Sequence, residues 1–422
     1  MEYDVIVVGT RVAGSATALL LARQGLRVLA LDRARFPSDT LSTHQIQLPG
    51  GALLREWGLL DAVAATGCPP AARLRFDAGP AVLDGEYPRF GGVDAVYSPR
   101  RTLLDALLRD AAAEAGATVR DGFIVEALCG DGDRVTGVRG TAKGGRTESF
   151  TARLVIGADG KHSTIAAAVG AREYHTAPAL SGACYGYFTG LDVDGGEVHI
   201  RPDRMIGLWP TNDGATIVYL AVPANRFAAL RTDLPTDFRA AIAGIADGDR
   251  RATPGGGADL GERLAAATPI EHLRATTDLP NTFRAAYGPG WALVGDAGLV
   301  MDPITGQGIG NACQDADRLA RAVVDGLGGA KPLEAALAAY AAQRDRDRRP
   351  MYDLTLRQAA FRPDPTGAIL FPAIADSPEW TSQFFGVLSG AVPVGEFFQP
   401  ARLHRLLGLR GLARLVRARL RG

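Results

Sequence analysis

Gly295-Asp296-Ala297-Gly298-Leu299-Val300-Met301-Asp302-Pro303-Ile304-Thr305-Gly306-Gln307-Gly308-Ile309-Gly310-Asn311 is the stretch from which the rest of this chain is read. It follows a short apolar run, residues 291–294, that reads as a buried strand. A helical pattern over residues 312–327 comes after it, with Leu319, Val323 and Val324 on one apolar side. The order is strand, acidic turn, Pro/Gly-rich loop, helix N-terminus. Such a helix start presents unpaired backbone N–H groups and the positive end of a dipole, which together stabilise an anion without a charged side chain. Asp296, at the strand's end, suits hydrogen bonds from ribityl or ribose hydroxyls.

Two further motifs lie upstream. Residues 3–8 form a β-branched run of the kind found in strands buried on both faces, and Gly9 bounds it. Gly9-Thr10-Arg11-Val12-Ala13-Gly14 then turns into a helix over 15–24 that stops at Gly25, and residues 26–31 form a second strand ending at Asp32. This is a βαβ unit with an acid 18 residues past Gly14, the spacing of a dinucleotide site in which the acid meets the ribose hydroxyls. Arg11 occupies the place of the middle glycine in G-x-G-x-x-G. Its guanidinium either lies beside the phosphates or points away on a rearranged turn. The second motif follows the buried strand 153–156: Gly157-Ala158-Asp159-Gly160-Lys161-His162-Ser163, a tight turn in which Asp159 can bond backbone and ribityl-side groups.

Between these landmarks the reading is coarser. Residues 33–49 are polar and loop-like, with Arg33, Arg35, His44 and Gln45 as notable side chains in what reads as a surface loop. Residues 51–60 read as a helix and 68–92 as hairpin strands or a long excursion. Pro99 precedes a helix over 102–115, and short strands at 118–120, 123–128, 135–141 and 147–151 suggest a β-meander. Residues 171–223 switch to period-two alternation with Asp-Gly turns at Asp194-Gly195 and Asp213-Gly214, an antiparallel sheet. A helix over 227–245 and a glycine-rich connector over 250–261 follow, and 268–279 reads as a strand returning to the main sheet. Helices are expected over 333–348 and 351–360, and a loop over 363–378. From Ala401 the tail is basic, with leucines at helical spacing. It is read as a terminal helix docked by those leucines, with membrane-surface contact as the lesser alternative.

Composition excludes several classes. Lys+Arg and Asp+Glu both number 46, so no net field favours nucleic acid or membrane. Hydrophobic content of 47% and charged content of 22% over 422 residues suit a multi-domain globular protein. Cys68, Cys129, Cys184 and Cys313 are widely spaced, and with six scattered histidines no metal site is expected. Without a signal-peptide pattern or an apolar run near the roughly 18 residues of a membrane span, the expected location is cytoplasmic.

In combination, Gly9…Gly14 with Asp32, Gly157-Ala158-Asp159-Gly160, and Gly295-Asp296…Gly310 resemble the single-component (group A) flavoprotein monooxygenases typified by para-hydroxybenzoate hydroxylase. The wider superfamily includes geranylgeranyl reductases and flavin-dependent halogenases. The resemblance covers about residues 1–350. It implies an α/β fold: a Rossmann-like FAD-binding domain (parallel sheet with β-meander) in three parts, 1–70, 97–170 and 268–350. A substrate domain inserted as 71–96 and 171–267 contributes an antiparallel sheet, and 351–422 form a helical C-terminal region. The implied cofactors are FAD and NAD(P)H, and the partners O₂ and a small-molecule substrate. Carried over residue by residue, Gly9, Arg11, Val12, Ala13, Gly14, Asp32 and Arg33 fall at the ADP half, and Asp159 and Gly160 at the motif serving FAD and the nicotinamide coenzyme. Gly295 and Asp296 fall at the ribityl contact. Arg101 matches the arginine that begins the family's Arg-x-x-Leu helix. Pro303, Gly306, Gly308, Ile309, Gly310 and Asn311 match the loop flanking the isoalloxazine ring, where helix-start amides would stabilise the negative edge of reduced flavin.

What the resemblance implies is oxygen transfer through a C4a-hydroperoxyflavin to an electron-rich carbon of an aromatic or polyketide-like molecule, by hydroxylation or epoxidation. Candidates for a catalytic part are Pro303 and the middle-sheet residues Tyr185, Tyr187, His199, Trp209 and Tyr219. A halogenase of this superfamily would carry a Trp-x-Trp-x-Ile-Pro segment, which Gly207-Leu208-Trp209-Pro210 does not fit. A reductase of isoprenoid double bonds needs the same FAD site and an apolar cavity, for which residues 368–371 and 384–387 are candidates. A flavin-binding protein that sequesters a ligand without turnover is the remaining alternative.

Overall fold

The computed structural model describes residues 2–79, 81–142, 144–246, 260–362 and 364–419. The chain opens with the βαβ unit β1 (Tyr3–Val8), α1 (Val12–Arg23) and β2 (Val28–Asp32). Helices α2 (Leu48–Glu56) and α3 (Leu60–Ala65) lead to the hairpin β3 (Arg73–Asp77) and β4 (Val82–Glu86). Helix α4 (Arg101–Glu114) precedes β5 (Thr118–Asp121), β6 (Phe123–Asp131), β7 (Arg134–Ala142) and β8 (Thr147–Gly157). After α5 (Thr164–Ala168) and β9 (Glu173–Ala177) comes the run β10 (Ser181–Thr189), β11 (Gly196–Arg201), β12 (Arg204–Pro210) and β13 (Thr216–Pro223). Helices α6 (Ala224–Leu230), α7 (Leu234–Ala246) and α8 (Leu260–Ala266) follow, and then the short strands β14 (Thr268–Pro269), β15 (Arg274–Thr276), β16 (Asn281–Arg284) and β17 (Tyr287–Gly288). Most of the glycine-rich connector read over 250–261 lies outside the described residues.

The main sheet runs β18-β8-β1-β2-β5, all parallel, where β18 is Trp291–Leu293. Its strands are apolar throughout because both faces are covered. Val5 and Val7 of β1 pack into the cluster that includes α1 and α9 (Gly308–Leu327). Ile6 and Val8 pack against Phe123, Val138 and Phe150 of the meander. Strand β8 joins what read as two separate strands. Its first half pairs antiparallel with β7, and its second half runs parallel to β1 and β18.

The second sheet is β4-β3-β11-β12-β13-β10, antiparallel except for β3 with β11. One face, carrying Tyr185, Tyr187, Val198, Trp209 and Tyr219, joins the large central cluster. The other, with Cys184, Phe188, Ile206 and Leu208, packs with Phe227, Phe238 and Leu264 of the three following helices.

Two readings are corrected, at 268–279 and at 363–378. Residues 268–279 do not return to the main sheet: Thr268–Pro269 and Arg274–Thr276 pair with β10, and the main sheet is re-entered at β18. The mixed polar and apolar text of that run suits an edge with one buried face, unlike the continuous apolar strands of the parallel sheet. Residues 333–359 form one helix, α10 (Leu333–Ala359), that continues through Pro350. The loop expected over 363–378 contains a helix, α11 (Gly367–Ala375), whose Leu370 and Ile374, four apart, are buried. Helices α12 (Pro378–Leu388), α13 (Val394–Phe397) and α14 (Pro400–Arg419) complete the chain. Leu403 and Leu415 of α14 are buried, as the docked-helix reading expects. No helix among the described residues is long and apolar enough to cross a membrane.

Candidate active site

Strand register aligns the motifs. Val8 of β1 pairs with Leu31 of β2 and with Gly157 of β8, and Gly157 pairs with Leu293 of β18. Gly9, Asp32, Asp159 and Gly295-Asp296 therefore leave the sheet at one carboxyl edge, where open parallel sheets bind their ligands. The glycines are close-approach positions. A Cβ at Gly9 would run into the Ala158 carbonyl, and one at Gly14 into the Gly9 carbonyl. At Gly295 (φ 60) a Cβ would stand 2.7 Å from the Ala13 Cβ.

The three acids differ in what they hold. Asp32 accepts from the Thr10 backbone N–H at 2.6 Å, the Thr10 hydroxyl at 3.2 Å and the Ala34 N–H at 2.7 Å, bracing the first turn. Asp159 is committed to the start of α5: it accepts from Ser163 Oγ, from the Thr164 N–H at 2.7 Å and from the Thr164 hydroxyl at 2.8 Å. Asp296 accepts no side-chain hydrogen bond among the described residues. Solvent reaches it although protein surrounds it, as on the floor of a cleft. Desolvation there pushes its carboxyl up, and the charges of Arg101 and Lys161 pull it part of the way back.

Arg11 is engaged by the protein through its side chain. Its guanidinium bonds Asp105 at 2.6 Å, the Ser38 hydroxyl at 2.9 Å and the Asp39 carbonyl at 3.1 Å. Arg101 grips the same acid in a bidentate pair at 2.8 and 3.0 Å. Asp105, fully buried between two arginines, was not singled out from the sequence. An i,i+4 Arg/Asp pair on a helix is too common to stand out, and Arg11 is 94 residues away. Arg33 is exposed at the end of β2.

At the other end of the cleft, Pro303–Thr305 form a single 3₁₀ turn capped by Asp302, and Gly306 (φ 64) reverses the chain into α9. The N-terminus of α9 has no side-chain cap and no acid in its first turn, because Gln307 turns away to the carbonyls of Thr305 and Leu388. A Cβ at Gly308 would meet nothing within 4 Å, whereas Gly310 packs against Gly50 of α2. Ile309 is buried, and the Asn311 carbonyl is held by Arg348. An open glycine at an uncapped helix start and an unbonded acid on the cleft floor fit a dinucleotide that carries an electron-rich ring. The acid would take ribityl hydroxyls and the helix start the ring's negative edge.

The middle-sheet candidates separate. Tyr187 donates to Nε2 of His44 at 2.7 Å, His44 Nδ1–H donates to the Ser42 carbonyl at 2.8 Å, and Tyr185 packs edge-on to both rings. His44 and Gln45, read as surface loop, are buried. The partners of His44 on β10 are too distant in sequence to be anticipated. Burial first, and then the positive charges of Arg101 and Arg100, lower His44 to about 3, so it is a neutral acceptor. Burial raises the phenols of Tyr185, Tyr187 and Tyr219, which makes them donors and not bases.

His199 is on the sheet face opposite Tyr185, Tyr187 and Trp209. It bonds Asp77 at 3.2 Å and Glu197 at 3.4 Å, and Glu197 is held in turn by Arg263 of α8. Burial alone would lower His199, but the two carboxylates outweigh it and hold the imidazole above its ordinary value. The cause is period two: Val198 faces the core, so His199 cannot. Trp209 lines a narrow cavity of about 40 Å³ between the second sheet, the Pro303–Thr305 turn and α10. Phe76, Val198 and Ile304 are among its walls, as is Leu388 at the end of α12.

Residues 2–355 match the family model described as "FAD binding domain". The 6-methylpretetramide 4-monooxygenase of Streptomyces rimosus is 29% identical over 362 residues, 81% of this chain and 80% of that protein. The kynurenine 3-monooxygenase of Salinispora tropica is 30% identical over 368 residues, 81% of this chain and 76% of that protein. Among solved structures, the flavin-dependent brominase Bmp2 superposes with a TM-score of 0.80 at 17% identity, covering 96% of this chain and 98% of the brominase. At that identity the likeness is one of fold.

Proposed function

The chain belongs to the FAD-binding-domain family and is an FAD-dependent oxidoreductase that uses NAD(P)H, and on that premise we propose that it is a monooxygenase that hydroxylates or epoxidises an aromatic or polyketide-like small molecule. The observation that carries this reading is the apolar cavity set against the Pro303–Thr305 turn, directly before the open start of α9. The chemistry that FAD supplies when bound is activation of O₂ with electrons from NAD(P)H and transfer of one oxygen atom to an electron-rich carbon.

The protein's own part is binding, orientation and exclusion of water. Asp296 would hold the ribityl chain, and the amides of Gly308 and Ile309 would offset negative charge at the ring's edge. The cavity walls keep bulk water from the reacting carbon. No buried tyrosine of the second sheet serves as a base, since burial holds each protonated. A phenolic substrate would therefore be activated by hydrogen bonding and not by these side chains taking its proton.

The test compares turnover with and without O₂ for a panel of phenols and polyphenolic ketones. The proposal expects substrate-stimulated NAD(P)H oxidation and a product heavier by one oxygen atom only in air. Product formed without O₂ would make the enzyme a reductase. Product that needs halide would make it a halogenase.

A further inference from the structure

Two buried polar groups on the cavity wall have no protein partner. Trp209 lies flat on the second sheet. A Cβ at Gly207, or at Gly196 on neighbouring β11, would collide with its indole, so two glycines clear the bed on which the ring rests. The ring is 7% exposed, and its Nε1–H has no hydrogen-bond partner among the described residues. The Tyr87 hydroxyl stands close to that N–H without reaching hydrogen-bond geometry. Gln47, 6% exposed, donates its amide N–H to Gln45 Oε1 at 2.9 Å, yet its own Oε1 is unmet. Both residues line the same cavity, and most of the remaining wall is apolar.

Folded proteins rarely leave buried donors and acceptors unmet, and one of each on residues that line a single, mostly apolar slot matches a ligand with the opposite pair. We propose that Trp209 and Gln47 are the recognition pair for the substrate: a flat ring bearing a carbonyl oxygen that accepts from Trp209 Nε1–H and a hydroxyl that donates to Gln47 Oε1. The substrate class is thus a hydroxyaryl carbonyl compound. This assignment rests on the reading of the cavity as the substrate site of a monooxygenase. The apolar walls supply sequence-tolerant packing, while the two polar tips set which edge of the ring faces the Pro303–Thr305 turn.

Binding to the FAD-loaded enzyme, followed by perturbation of flavin absorbance without NAD(P)H, tests the pair independently of turnover. The probes are toluene, benzaldehyde, phenol and 3-hydroxybenzaldehyde. Trp209→Phe should weaken benzaldehyde and 3-hydroxybenzaldehyde by about tenfold and leave toluene and phenol near the unsubstituted enzyme. Gln47→Leu should weaken phenol and 3-hydroxybenzaldehyde by a similar factor of about tenfold and spare toluene and benzaldehyde. Should Trp209→Phe lose flavin, Gly196→Ala carries the same comparison, because it displaces the N–H edge and keeps the indole. Equal effects on all four probes, or none on any, overturn the assignment. If no substrate is ever oxygenated but the probe selectivity holds, the monooxygenase reading fails and the recognition pair stands.

Discussion

Asp105→Asn is the substitution that most directly tests how the cofactor edge is held together. The change keeps the side chain's volume and removes its charge. It strips Arg101 of a bidentate partner at 2.8 and 3.0 Å and Arg11 of a contact at 2.6 Å. Breaking a buried ion pair from one side costs about 3–5 kcal/mol, since the other charge stays behind without its partner. Arg101 qualifies in full, because its side chain is 10% exposed and Asp105 is not exposed at all. Arg11 is 29% exposed, so water replaces much of what it loses. The lower end, about 3 kcal/mol, is therefore expected. With a urea slope of about 3 kcal/mol per molar, the unfolding midpoint should fall by about 1 M. FAD retention should fall with it, because Arg101 also faces Asp296 electrostatically. In the Asp105→Asn background, adding Arg11→Met should cost less than it does alone, giving a coupling of about 1 kcal/mol or more. A midpoint shift under about 0.3 M, with additive single and double variants, would refute the idea that one acid locks both arginines.

Acidification should weaken the fold through His44. Its folded value near 3 lies below the ordinary 6.5, so its contribution is complete above pH 6.5 and is lost as pH falls toward 3. Asn tolerates the left-handed backbone at this position (φ 66), and the stability gap between the unsubstituted protein and His44→Asn should close across that window; parallel urea curves at each pH would count against it. Gly308→Ala should leave the FAD-free protein as stable or up to about 1 kcal/mol more so, yet lower its FAD content. Gly14→Ala should lose about 2 kcal/mol or more by collision with the Gly9 carbonyl; thermal unfolding with and without FAD separates the two cases. Asp296→Ala should weaken FAD retention, and an unchanged flavin-to-protein ratio would remove the acid's assigned role.

Legibility in the sequence followed the range of the interactions involved. The βαβ unit, the strand-ending acids and the glycine-rich helix start are local patterns, and the structure has them where they were read. Period-two text announced the second sheet but not which of its faces turns inward, and so His199 was grouped with Trp209 although they face opposite ways. Arg11, Asp105, His44 and Gln47 take their roles from partners far along the chain or from burial that no window of sequence displays. Asp159 caps α5 through its bonds to Ser163 and Thr164, a local role that the sequence alone does not separate from a ligand contact.

The family match stops at residue 355, whereas Leu388, which lines the cavity, and the carbonyl it offers to Gln307 belong to the tail. The portion that grips the nucleotide leaves the ribosome first, and this piece of the pocket wall emerges last. Chimaeras joined between Ala359 and Gly367 would therefore exchange part of the pocket wall together with the carbonyl that fixes Gln307 at the start of α9, coupling pocket shape to the helix start.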